Sequence, residues 1–157
     1  MDIIKFERII VRNYAAWVCV KMLINDIPLL DIVYNYGKEH ISFDKEYEPF
    51  YQYCPAVELY EQIDKSIVSK KKTKIYLLTC VCMEAVCQSF SAYLHENKNH
   101  IVLSRFQNDR LAHKNEHNDI DYSKFVKYTF DKTQFMSEFE KFKFFSHEYR
   151  IDWDSPE

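Results

Sequence analysis

The chain contains a single glycine, Gly37, in 157 residues. Turns, bulges and phosphate-cradling loops draw on glycine for positive φ, so its near absence removes whole classes of site at once. Neither the phosphate-binding G-x-x-x-x-G-K-[ST] loop nor the dinucleotide G-x-G-x-x-G fingerprint can be formed, and no serine lies in a G-x-S-x-G elbow. With four prolines, little of the chain suits flexible linkers. A hydrophobic fraction of 47%, with 17% aromatic residues, supplies one sizeable core. These features predict a single folded domain over residues 1–157, without repeats or low complexity, ending in a short acidic tail at 152–157.

The amino-terminal stretch MDIIKFERIIVRNY interrupts its apolar residues with Lys5, Glu7, Arg8 and Arg12, unlike a signal peptide. No apolar run approaches the roughly 18 residues that span a bilayer. A cytoplasmic protein without membrane association is expected. Five cysteines are an odd number, and a reducing compartment favours thiols or ligands over a disulfide framework. The formal charge of -3 gives no global positive field, so nucleic acid is not the expected partner.

Strands come first along the chain. DIIKFERIIVR and AAWVCVKMLI are rich in Ile, Val and aromatic residues, joined through Asn13 and Tyr14, and predict an antiparallel pair. In PLLDIVYNYGKEH, Leu29, Leu30, Ile32, Val33 and Tyr36 form a helical stripe, with Asp26 as cap, Pro28 in the first turn and Gly37 as terminator. HISFDKEYEPFYQYCP reads as a loop with one short strand, and AVELYEQIDKSI as a second helix. KTKIYLLTC predicts a buried strand. QSFSAYLHE and HIVLSRFQ flank NKN as a hairpin, with Phe90, Ala92 and Leu94 on one face and Ser89, Ser91, Tyr93 and His95 on a wet face. KFVKYTF is a further strand, and Asp131 precedes a helix with Phe135, Phe139 and Phe142 on one side. The order implies an α+β domain with a mainly antiparallel sheet and two or three helices packed on it.

Cys80, Cys82 and Cys87 lie within eight positions and are the first candidate site. Alternation along a strand points Cys80 and Cys82 to one face. A tetrahedral zinc site would need a sharp turn there and a fourth ligand from His95, His113, His117 or a distant cysteine. The structural reading is that these are small buried apolar residues at a strand end. A reactive thiol is disfavoured by Glu84, the charge nearest Cys87. No cofactor is expected, with zinc on these three cysteines as the alternative.

INDIPLLDIVYNYGKEH, with the later IYLLTCVCMEAVCQSFSAYL and IVLSRF, resembles a bacterial family of small uncharacterised proteins. Its members join a turn and helix to a strand running into C-x-C-G-x-x-G-C, followed by a hairpin. The resemblance spans roughly residues 15–145. Met83 and Val86 stand where that pattern has glycines, and Phe106 where it often has tryptophan. The resemblance implies the α+β layout and no activity.

HKNEH, residues 113–117, matches H-x-x-E-H, in which two histidines bind zinc and Glu116 would be the base. Its flanks are polar rather than apolar, which makes it a solvated loop. Asp119 and Asp121 likewise read as loop carboxylates.

Charge supplies the remaining signal. Residues 38–64 hold seven acids and two bases, whereas residues 65–74 hold five lysines and no acid. Such segregation favours steered docking. Glu39, Asp44, Glu46, Glu48, Glu58 and Glu61, interleaved with Tyr51 and Tyr53, make an expected acidic, aromatic surface for a basic protein. The leading expectation is a non-enzymatic protein-binding module, in its most concrete form a bacterial immunity protein that covers a basic toxin domain. A small zinc protein is the alternative, and an enzyme assembled from distant residues stays open. A homodimer is compatible with the hairpin if it offers an edge strand.

Overall fold

β-Branched residues in alternation carry the amino terminus into a long antiparallel ribbon. In the computed structural model, which describes residues 1–40, 51–81, 88–110, 120–152 and 154, β1 (Ile4–Asn13) and β2 (Ala15–Ile24) pair from Ile4↔Ile24 to Asn13↔Ala15. Tyr14 alone links them, at φ 62° and 94% exposed. Asn25 and Asp26 then take φ 54° and 66°, a two-residue reversal of the type that Asn and Asp tolerate best after glycine. It returns the chain as β3 (Ile27–Pro28), where Pro28 pairs with Leu23.

This corrects the reading of Asp26 as a helix cap and Pro28 as a first-turn residue. Asp26 belongs to the turn, and its carboxylate pairs with Lys5 Nζ at 2.7 Å. Helix α1 (Leu29–His40) starts after Pro28 and runs through Gly37, which is buried inside it instead of ending it. A missing side chain costs a helix interior about 1 kcal/mol, which the packed surroundings of Gly37 outweigh.

β4 (Tyr51–Tyr53) leads to α2 (Ala56–Ser69), and α2 closes at Lys70 with φ 56°. β5 (Thr73–Cys80), β6 (Gln88–Glu96) and β7 (His100–Arg110) follow. The NKN turn forms as expected: Asn97 Oδ1 accepts from the backbone N–H groups of Asn99 and His100. β8 covers Tyr128–Asp131, shorter than the strand expected over 124–130, because Tyr122–Lys124 form a 3-10 turn capped by Asp121. α3 (Lys132–Lys143) is capped by the Asp131 carboxylate, which accepts from Gln134 N–H at 3.0 Å. Its Phe135, Phe139 and Phe142 are buried. β9 (Arg150–Ile151) pairs with β2.

Two antiparallel sheets result. One has the order β1-β2-β3 with β9 beside β2, and the other the order β4-β5-β6-β7-β8. Single bridges, Asp2↔Phe130 and Cys19↔Pro55, join them. The expected α+β class is the observed one. The core is strongly aromatic: Phe6 meets Phe135 edge-on at 5.8 Å and lies 5.0 Å from Phe142, while Phe90 contacts Tyr51, Phe106, Tyr122 and Phe125. Gln134 reaches from α3 to β1, accepting from Ile4 N–H and donating to Ile4 C=O, so a side-chain amide satisfies one step of that strand's outer edge.

Two expectations about the hairpin need correction. β6 and β7 are interior, flanked by β5 and β8, so the hairpin offers no edge; the sheet's outer strands are β4 and β8. The face expected to be wet is dry at one end, where Thr79, Ser89 and Ser91 are all buried, and open only towards Tyr93 and His95. Among the described residues, no helix is long and apolar enough to cross a membrane.

Candidate functional site

The cysteines separate on folding. Cys80 ends β5 opposite Tyr51 and is buried, as a small apolar residue at a strand end should be. Cys82, Cys87 and the His113–His117 motif with Glu116 lie outside the described residues. The thiols that converge are Cys19 on β2 and Cys54 before α2, brought together by the Cys19↔Pro55 bridge and the 3.1 Å bond from Val20 N–H to Cys54 C=O. Burial pushes the Cys19 thiol up to about 12, with the Glu58 carboxylate adding to it, and raises Cys54 for the same two reasons and through Cys19 itself. Cys54 Sγ lies 3.9 Å from Glu58 Oε2. Burial also raises the Glu58 carboxyl, helped by Glu61. High thiol pKa values leave little thiolate, so this is inert packing. Among the described residues no group of three or more His, Cys, Asp or Glu side chains could hold a metal ion.

The acidic, aromatic surface is reshaped in the same way. Tyr51 and Tyr53 are 6% and 5% exposed, so their rings serve the core and cannot meet a partner as expected. Their alternation in β4, with both facing inwards and Gln52 between them, was the available signal. Asp44, Glu46, Glu48 and Asp119 lie outside the described residues. Asp121 is a capping residue: its carboxylate accepts from Ser123 N–H at 2.9 Å, and that bond holds its pKa below the usual value.

The residues that remain on a surface are Glu39 at the end of α1, exposed, and the α2 set: Glu58 half-buried, Glu61 and Asp64 exposed. Helical spacing puts Tyr60 beside Asp64. The Tyr60 ring stacks on Phe139 of α3 at 4.7 Å and 8°, and meets Phe142 edge-on at 5.4 Å. Burial raises the Tyr60 phenol, and Asp64 and Glu140 raise it further. Two helices therefore present one half-buried ring within a group of carboxylates. Beyond Glu140 a groove of about 630 Å³ is lined by Ser137, Lys141, Lys143, Phe144 and His147, with Phe144 84% exposed. Neither Glu140 nor Phe144 was identified from sequence, since only the packing of α2 on α3 brings Glu140 near Tyr60, and Phe144 joins it only through the groove it shares with Glu140.

No protein-family model, no curated protein and no solved structure matches this chain.

Proposed function

We propose that the protein is a non-enzymatic binding module that docks a basic protein partner through the α2–α3 face, as a toxin-neutralising immunity protein would. The observation that carries this reading is Tyr60, stacked on Phe139 and flanked by the carboxylates of Asp64 and Glu140, with the exposed Phe144 sharing a groove with Glu140. An aromatic anchor among carboxylates combines desolvation at the centre with electrostatic complementarity at the rim. Of the expected acids, Glu61 on the exposed side of α2 belongs to this face, whereas Glu58 lies against Cys54; Tyr51 and Tyr53 are replaced by Tyr60 and Phe144.

The test is crosslinking capture from the native cells, followed by reconstitution of the purified pair. Wild type is compared with the charge-reversed variant Glu61→Lys/Asp64→Lys/Glu140→Lys. The expected partner is basic, and its association is slowed by salt between about 50 and about 500 mM and lost on charge reversal. A complex of unchanged affinity in that variant overturns the reading.

A further inference from the structure

On the other side of the β4–β8 sheet from α2, three strands bring cations and rings together. Alternation places Lys74 and Tyr76 of β5, Ser91, Tyr93 and His95 of β6, and Gln107 and Asp109 of β7 on this outer face, across the pairs Lys74↔Tyr93 and Tyr76↔Ser91↔Gln107. Ser91↔Gln107 and Tyr93↔Ser104 are successive pairs along the strands, so Arg105 and Phe106 together oppose Ala92 in a β-bulge. Arg105 takes φ 54° there, which turns its side chain back over the sheet.

Arg105 Cζ and Lys72 Nζ each lie 5.8 Å from the centre of the Tyr93 ring, and Lys74 Nζ lies 5.8 Å from that of Tyr76. Lys70, Lys71, Lys72 and Arg105 are exposed. Among the described residues of these three strands, the carboxylate on this face is Asp109, and it is already engaged: it accepts from Ser91 Oγ at 2.6 Å, Lys74 Nζ at 3.0 Å and Gln107 Nε2 at 3.2 Å. The surplus charge is therefore positive.

We infer that this outer face binds single-stranded nucleic acid, with Tyr93 and Tyr76 as stacking platforms and Lys72 and Arg105 as phosphate contacts. Diagonal cross-strand neighbours stand about 7–8 Å apart, so the two rings can serve successive bases. Every base has a π-face, and the Tyr93 ring already has two exposed cations beside it, Lys72 and Arg105, that can swing to the adjoining phosphates. A duplex hides its bases from such platforms. An acidic protein segment would use the cations and leave the rings idle. The formal charge of -3 does not oppose this, because a bound strand feels charges within about 10 Å at ordinary salt. The inference is independent of the α2–α3 docking reading, which uses none of these residues.

The test is fluorescence anisotropy with labelled oligothymidylate and oligouridylate of about twelve nucleotides, the matching duplexes, and polyglutamate as competitor. Saturable single-strand binding is expected at about 50 mM salt, weaker for duplexes and resistant to polyglutamate. Tyr93→Ala should weaken it about 5- to 100-fold, while Tyr93→Phe, which keeps the ring, retains it. Lys72→Gln/Arg105→Gln should lower the slope of log affinity against log salt by about 1.4. Absence of binding, or efficient competition by polyglutamate, overturns the inference, the latter in favour of an acidic protein. If Tyr93→Ala fails to fold, the double variant decides: an unchanged salt slope overturns the inference equally.

Discussion

Helix α2 ends on a residue that chain geometry disfavours. Lys70 closes it at φ 56° and ψ 25°, with its N–H on the Ser66 carbonyl at 3.1 Å. An L-residue in this left-handed region costs about 1–2 kcal/mol, whereas glycine occupies it freely and surrenders about 0.5–1 kcal/mol more unfolded-chain entropy. Lys70→Gly should therefore stabilise the fold by about 0.5–1 kcal/mol, or about 1–4 °C in a domain of this size. Thermal and urea melts at pH 7 read it, with the urea slope unchanged. Arg105, at φ 54° in its bulge, supplies the internal comparison. Arg105→Gly gains the same relief but loses the cation beside Tyr93, about 0.5–1 kcal/mol at an exposed site, so its net effect is close to zero. A lower midpoint for Lys70→Gly refutes the strain argument, and equal gains at both sites refute the energetic role given to Arg105.

Phe142 is fully buried against Phe6, Tyr60, Phe139 and Phe145, so Phe142→Ala should cost about 3–5 kcal/mol in urea melts. Phe144→Ala, two positions on and exposed, should stay within about 0.5 kcal/mol while weakening partner capture. Glu58 has its carboxyl raised by burial first and Glu61 second; the native state then holds its proton to higher pH than the unfolded chain does, so stability falls as pH rises from the ordinary value through the raised one. Glu58→Gln should remove that fall, and a parallel pH–stability curve for the variant would sink the assignment. Cys19 and Cys54, both raised by burial, should resist alkylation at pH 8 until denaturant is added; labelling in the native state contradicts their packing.

Local signals were strong enough to be read directly. β1 and β2 carry their β-branched runs, NKN carries its Asn97 acceptor, and α3 carries both its Asp131 cap and its phenylalanine stripe. Legibility failed where one residue type serves two geometries. Asp26 suits a helix cap and a positive-φ turn equally, and the β3 pairing beyond it decided for the turn. Gly37 suits a helix end, but α1 runs on to His40 with Gly37 buried inside it. Tyr51 and Tyr53, among carboxylates in sequence, lie two apart in β4 and so face the core together. The outer-face cluster was the least legible: it needs the registers of β5, β6 and β7 and the bulge at Arg105, none of which leaves a local pattern.

The two proposed surfaces carry opposite charge, and their independence is a matter of distance and screening. A domain of this length has a radius of gyration of about 15 Å, while the screening length near physiological salt is about 8 Å. A partner on the α2–α3 face therefore responds to Glu61, Asp64 and Glu140 and scarcely to Lys72 and Arg105 on the outer face. At about 10 mM salt the screening length grows to about 30 Å, and each surface then feels the other. The Glu61→Lys/Asp64→Lys/Glu140→Lys variant should consequently leave oligothymidylate affinity unchanged near 150 mM salt, yet tighten it near 10 mM, because three reversals add positive charge to the whole body. Tightening of equal size at both salts would mean that the strand reaches α2, placing both ligands on one continuous surface.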